Sequence, residues 1–475
     1  MTILRTVSAL CLAYVVLGCA HPQSKGKTAP IKVPLEPPVA QEPSSVLPPI
    51  PMGPATLITQ VTLLTADDAR PSIANGWLRI RDGKIHSMGP SPAPTAAEGE
   101  KVINGRGGVL TPGLIDTHSH LGVYSSPHVW AHADGNEMTN PITAGVRAEE
   151  AFWPQDPGIE RAVRGGVTTI QVLPGSGNLI GGRTVVLKLH PRRSSRAMRF
   201  PGAKDGLKMA CGENPKRVYG KSRKSMPMSR MGSLYLMRQK WIDARRYRQK
   251  WAEWQKNPTK IEHGKTVPVL PPKRDLVLET LAAVLNGEIL VHIHCYRADE
   301  MLLQLKLAQE FGYRVRSFHH AVEAYKIRDI LAAEGVSVST WADWWGFKIE
   351  AYDGIEQNLA LLSEAGALSI LHTDSAEGIQ RMNQEAAKAL WAGRHEGIEL
   401  TEHDALKWIT LNPAWALGIE SEVGSLEVGK HADLVLWNRN PMSVYAKATL
   451  VLIDGVIRYD RSVVSAPWSD FEVMK

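Results

Sequence analysis

The stretch Leu110–Leu121, LTPGLIDTHSHL, constrains this chain more than any other. Its apolar pair Leu114-Ile115 reads as the end of a buried strand, and Asp116, His118 and His120 follow at a spacing of two. A strand sends alternate side chains to one face, so the three polar groups should project together from one strand end. Two imidazoles held this way make half of a site for a divalent cation. An isolated HxH reads more readily as two histidines hydrogen-bonded at a surface turn. Further His and Asp residues on later strand ends select the metal reading here.

From about Gly105 to Gly418, strand-like and helical segments alternate. The strand-like segments are Leu110–Asp116, Val167–Leu173, Thr184–Leu189, Leu207–Cys211, Ile289–His294, Arg314–His319, Val336–Thr340 and Leu368–Leu371. Helical ones include Asp275–Leu285, Ala298–Phe311, Ala321–Ala333 and Gly378–Ala392. Eight strands is the count of a (β/α)8 barrel. Before and after this span lie short β runs, and each end finishes in a strand–Asp-Gly–strand hairpin, at Asp82-Gly83 and Asp454-Gly455. The fold class expected is therefore α/β: a TIM-type barrel over residues 105–418, and a small β-sandwich built jointly from 55–104 and 419–475. A chain of 475 residues, 44% hydrophobic and 22% charged, can bury one large core and a smaller one.

Residues 1–19 have the form of an export signal, with Arg5 as the positive start and Ala9–Val16 as an apolar core too short to span as a mature helix. Val16-Leu17-Gly18-Cys19 resembles a bacterial lipobox, which implies cleavage before Cys19 and lipidation of that cysteine. Ala20, in place of the Asp associated with inner-membrane retention, points to the outer membrane. The expected location is the bacterial cell envelope, on the periplasmic face of the outer membrane or the cell surface, with membrane contact through the lipid anchor. Residues 20–54, rich in Pro, Ser, Gln and Lys, read as an extended tether.

The net charge of +7 suits anionic surfaces or substrates without demanding nucleic acid. Much of the basic excess lies in residues 191–272, where Arg and Lys interleave with Met and Trp and Trp241–Gln255 reads as a basic amphipathic helix. Aromatics among cations can stack nucleic-acid bases. A barrel insertion forming a lid with a solvated basic face is the expectation preferred. Four cysteines give no disulfide framework, and Cys211 and Cys295, near the ends of neighbouring strands, read as buried free thiols in preference to a disulfide.

A barrel enzyme carries its working groups at the C-terminal ends of its strands. Those ends supply His118 and His120, then His292 and His294, then His319 and His320, then His372 and Asp374. TPGLIDTHSH resembles the first-strand signature of the amidohydrolase superfamily, and Gly424–Val435 resembles that superfamily's return to its small β domain. The resemblance covers most of the chain after Pro54 and is most similar to the imidazolonepropionase-like and metallo-dipeptidase branches. It implies His118, His120, His292, His320 and Asp374 as metal ligands, with His294, His319 and His372 supporting them or facing substrate. The fourth strand offers two candidates. Lys208 would be a carbamylated lysine bridging two metals; Glu213 needs no modification and lies nearer the loop, which favours it slightly.

The chemistry implied is hydrolysis of a C–N bond in a small amide, lactam or dipeptide-like substrate. One or two divalent ions, zinc by ligand type, would activate water, with Asp374 as general base and His294 close to the reaction. A deaminase or phosphotriesterase on the same frame, or a non-catalytic surface lipoprotein that binds ligands, are the alternatives. The glycine-rich Val172–Gly182 reads as an active-site loop, either a nest for an oxyanion or carboxylate or a plain turn. Trp341, Trp344 and Trp345 read as a wall for an apolar or cyclic substrate, or as core. Substrate identity and self-association are left open by the sequence.

Overall fold

The structure is a computed structural model that describes residues 52–463. The export signal, Cys19 and nearly all of the tether lie outside the described residues. Among the described residues there are two eight-stranded sheets and a two-stranded hairpin, Thr259–Glu262 with Lys265–Pro268. The first eight-stranded sheet is a nearly closed barrel in chain order: β1 (Leu114–Ser119), β2 (Val167–Val172), β3 (Ile180–Lys188), β4 (Gly206–Ala210), β5 (Leu290–Cys295), β6 (Val315–His320), β7 (Ser337–Thr340) and β8 (Ser369–Leu371). Helices such as Leu276–Leu285, Ala298–Phe311 and Met382–His395 pack their buried faces against it.

No strand ladder joins β8 back to β1. Segment 408–409 fills that seam instead: Leu371 N donates to Trp408 O at 3.0 Å and Ile115 N to Ile409 O at 2.9 Å. Nearer the mouth, Asp374 N donates to His118 O at 3.2 Å, and the Thr373 hydroxyl donates to the Asp116 carboxylate. Asp116 thus closes the ring.

Each strand segment expected from the sequence has its counterpart in the barrel, but β3 runs antiparallel to both neighbours. Residues 173–179 alone separate it from β2, too few for the dozen or more that a parallel crossover needs. Consequently β3 descends from the mouth to the floor. Its last residue, Lys188, meets the second sheet, where its ammonium pairs with Asp433 at 3.2 Å and with Asp454.

The expected first strand is also two strands. Val109–Pro112 pairs within the second sheet and Leu114–Ser119 within the barrel. Gly113 is the joint; a Cβ there would stand 2.2 Å from Thr168 Oγ1. The second eight-stranded sheet draws on both chain ends in the order Val456–Asp460, Ala448–Ile453, Leu434–Trp437, Val109–Pro112, Thr56–Leu64, Ser72–Arg81, Lys84–Pro90, with Lys101–Asn104 also paired to Thr56–Leu64. It is one continuous hydrogen-bonded sheet where the sequence suggested a sandwich of two. Ile58, Leu63, Leu78 and Ile80 from one end share a core with Leu434, Leu436 and Leu452 from the other.

The basic segment forms a long helix, Arg230–Lys256, capped by the Ser229 side chain on Gly232 N. Met237, Trp241, Ala244, Tyr247 and Trp251 form its buried stripe. Several of its cations are paired: Arg230 with Glu300 at 2.7 Å and with Glu350, and Arg238 with Glu310 at 3.0 Å. Among the described residues, no helix is long and apolar enough to cross a membrane. Cys211 and Cys295 are joined in a disulfide, contrary to the free thiols expected. β4 and β5 are adjacent and in register, which brings the two residues at their ends within bonding distance.

Candidate metal centre

Period-two alternation at the mouth of the barrel gathers the polar groups. His118 and His120 leave β1; the His120 side chain is about one-fifth exposed, at 22%, whereas His118 is buried. Across the seam stands Asp374, whose Oδ1 lies 3.4 Å from His120 Nε2 and 3.8 Å from His118 Nε2. His320 Nδ1 lies 3.9 Å from Asp374 Oδ2. Two sets of ligand atoms therefore cluster, His118–His120–Asp374 and His118–His320–His372, each with all its atoms within 4.8 Å of one another and both sharing His118. His320 and Asp374 both have positive φ, +69° and +51°, an uncommon backbone state for residues that are not glycine.

Lys208 is buried beside this cluster. Its Nζ lies 3.4 Å from His118 Nε2 and donates to Pro174 O at 3.1 Å. Glu213 is not brought there. At Gly212, with φ +81°, the chain leaves β4 and turns into a short helix. A Cβ at that glycine would stand 2.5 Å from the Glu350 carboxylate. The Glu213 carboxylate ends 3.6 Å from Lys348 Nζ.

His292 sits deeper than the cluster, with its Nδ1 2.9 Å from His319 Nε2; His319 Nδ1 in turn lies 2.9 Å from His118 Nδ1. His294, one strand repeat further out, has its ring 4.6 Å from that of His320 and its Nε2 3.4 Å from Asn214 Nδ2. Among the β5 histidines, the one nearer the cluster is thus His294, and the resemblance had pointed to His292. Depth along a strand separates the two, and parity alone cannot. Trp341 stacks on His320 at 4.4 Å and donates from its indole to Thr373 O at 3.1 Å, so it is wall and scaffold together. Trp344 is tilted against it and half exposed. The glycine loop is not a free nest: Gly175 N donates to Gly135 O at 2.8 Å and Gly177 N to Asn136 Oδ1 at 3.2 Å.

Electrostatics favour neutral imidazoles. Burial, with Lys208 adding repulsion, pushes His120 and His372 down to about 3 and holds His118, His294 and His320 well below the usual histidine range. Burial lowers Lys208 to about 8 against the pull of Asp374, and raises Asp374 to about 7 against the pull of Lys208.

These residues fit a divalent cation. The Nδ1 atoms of His294 and His320 and both ring nitrogens of His372 are buried without a hydrogen-bond partner among the described residues, a costly state for polar atoms. His120 Nδ1 lies 2.9 Å from Leu173 O. A carbonyl only accepts, so Nδ1 carries the proton and Nε2 presents a lone pair to Asp374. A lone pair facing a carboxylate calls for a positive charge between them.

Fold and site together define a class, a barrel enzyme whose polar groups converge at one mouth of the sheet. Comparison with known proteins gives the family. The model described as "Amidohydrolase family" matches residues 254–459. The crystal structure of an amidohydrolase from Thermotoga maritima MSB8 is 33% identical, with coverage of 86% of this chain and 100% of that one and a TM-score of 0.76. The chain belongs to the amidohydrolase family. It is 32% identical over 439 residues to amidohydrolase tasK of Hapsidospora irregularis, with coverage of 87% of this chain and 44% of that protein, so it spans less than half of that relative's length. It is 22% identical over 407 residues to a 5-methylthioadenosine/S-adenosylhomocysteine deaminase of Syntrophomonas wolfei, with coverage of 80% and 85%.

Proposed function

We propose that this chain hydrolyses a C–N bond in a small amide, lactam or dipeptide-like substrate, with one or two divalent ions, zinc by donor type, held at the barrel mouth. The observation that carries the reading is the pair of ligand sets joined at His118. His118, His120 and Asp374 would hold one ion; His320, with His294 and His372 at hand, would hold a second. Lys208 joins them as the fourth-strand ligand: a lysine brought towards neutrality by burial adds CO2, forming an N–C bond and releasing a proton, and becomes a carboxylate. A bound ion would polarise the scissile carbonyl and bring the pKa of water towards neutrality.

The chain's own groups handle the protons. Asp374, whose carboxylate faces His118 and His120 at the mouth, accepts a proton from the attacking water and returns it to the leaving nitrogen. Leu173 O holds the His120 tautomer, and the Asp116 carboxylate, accepting from His118 N at 3.0 Å and from Thr373, fixes β1 against the segment that carries Asp374. Trp341 over His320 keeps bulk water from that side.

Metal analysis of the purified protein, with a screen of amides, lactams, dipeptides, aminopurines and organophosphates, tests the reading. Amide cleavage that is lost on chelation and restored by Zn, Mn or Fe is expected. Deamination or phosphotriester cleavage alone would redirect it, and binding without turnover of any class would make the chain a binding lipoprotein.

The same proposal places the protein in the bacterial envelope, anchored through lipidated Cys19. The buried Cys211–Cys295 disulfide supports an oxidising compartment. Loss of the chain from the membrane fraction in a Cys19→Ala variant is the expected result.

A further inference from the structure

We propose that the outer wall of this mouth is a subsite for a carboxylate on the substrate, read by Arg217 and Arg223, with Lys348 and Asn214 linking it to His294. The inference rests on the hydrolase reading above and narrows its substrate to N-acyl amino acids and dipeptides with a free carboxylate.

A cavity of about 610 Å³ opens from His120 and Asp374 and reaches out to Arg217 and Arg223. That volume suits a small-molecule ligand. Asp374 is the single carboxylate in its lining, and it faces the imidazoles. Arg79, Arg274 and Arg238 elsewhere in the fold each face a carboxylate, Glu100 at 2.8 Å, Glu279 at 2.6 Å and Glu310 at 3.0 Å, whereas Arg217 and Arg223 stand exposed at the outer end of this cavity. Arg217 makes no side-chain hydrogen bond or ion pair among the described residues, and Arg223 lies over the Tyr219 ring at 5.8 Å without a carboxylate partner there. The lining thus keeps two guanidinium charges, the group whose planar fork matches a carboxylate.

The rim is tied to the reaction centre. Lys348 Nζ donates to Asn214 Oδ1 at 3.0 Å. That fixes the amide, so Asn214 Nδ2 points to Ser176 Oγ at 2.8 Å and to His294 Nε2 at 3.4 Å. Because the Gly175 and Gly177 amides are already committed, an anion entering here is received by side-chain cations and not by backbone. The scissile nitrogen then lies between the carboxylate end and the Asp374 end.

The test compares dipeptides and N-acetyl amino acids with the corresponding methyl esters, by turnover and by calorimetric binding. Wild-type protein should favour the free acids by about tenfold or more in kcat/KM, the scale of one charge-assisted hydrogen bond. Arg217→Gln should raise KM for the acids about tenfold and narrow the difference between acid and ester, and the double variant Arg217→Gln/Arg223→Gln should erase it. Equal handling of acid and ester by the wild type, or an equal loss on both in Arg217→Gln, would overturn the subsite. Preferential binding of the acids without turnover would leave the subsite standing and remove the hydrolase reading; turnover blind to charge would do the reverse.

Discussion

Lys208 Nζ lies 3.4 Å from His118 Nε2, although the two residues are 90 positions apart in the chain. The contact makes Lys208, and not Glu213, the fourth-strand group at the cluster. Lys208→Ala should lower bound metal and reduce turnover by about 100-fold or more, the upper range for loss of a group that tunes a metal site. Glu213→Ala should keep the metal, since that carboxylate faces Lys348. Metal content by mass spectrometry alongside kcat decides between them; metal loss in Glu213→Ala with retention in Lys208→Ala would reverse the assignment.

The disulfide joins the end of β4 to the end of β5, directly after Ala210 and His294, and spans 84 residues of sequence. In the chain-entropy description a loop of that size gives about 4 kcal/mol. Cys211→Ala/Cys295→Ala should lower stability by a few kcal/mol, seen as a fall in the denaturant midpoint. Reductant should shift the wild-type curve towards the variant and leave the variant's own curve where it is. Coincident curves for wild type and variant without reductant would remove the bond's role.

Much of this was legible in the sequence because it is periodic. Eight apolar runs mark eight strands, and the HxH spacing together with Asp374 marks where they face. Local pattern does not encode strand direction, and only the short 173–179 connection distinguishes the antiparallel β3 from the parallel strand that a (β/α)8 barrel implies. Nor does pattern encode depth: the resemblance singles out His292, yet His292 lies beside His319 and it is His294 that meets His320. Lys208 lost to Glu213 on nearness to the loop, although Gly212 in the left-handed region turns the carboxylate away. The disulfide depended on strand register, which two isolated cysteines do not reveal.

Asp454 ties the floor of the barrel to the second sheet. His190 Nε2 lies 2.9 Å and His431 Nδ1 2.6 Å from its oxygens, and Lys188 also pairs with it. Burial alone would raise this carboxyl, but the hydrogen bonds from His190 and His431 and the Lys188 charge hold it well below the usual range. A depressed folded-state pKa contributes stability that is fully present above the unfolded value, about 4, and is lost as pH falls below it. Asp454→Asn, tolerable at φ +51° because Asn adopts this region, should cost about 2 kcal/mol at pH 7. Chemical denaturation from pH 7 down to 3 should show wild type and variant converging below pH 4. A gap that stays constant across that range would mean the carboxylate charge is not what binds the two sheets.

Asp374 is placed to touch both metal and proton. It is backed by His118 O through its own N–H, and its oxygens lie between His120 and His320. Replacing it with Asn keeps the size and one oxygen ligand but removes the proton acceptor. Loss of a positioned general base costs about 100- to 10,000-fold. Asp374→Asn should therefore fall by that factor in kcat while keeping fold and most bound metal. Turnover by the wild type should also fall below the pH at which the carboxyl takes up a proton, and residual turnover in the variant should lose that limb. Full loss of metal in Asp374→Asn would make the side chain a ligand first, and an unaltered rate would remove it from the chemistry.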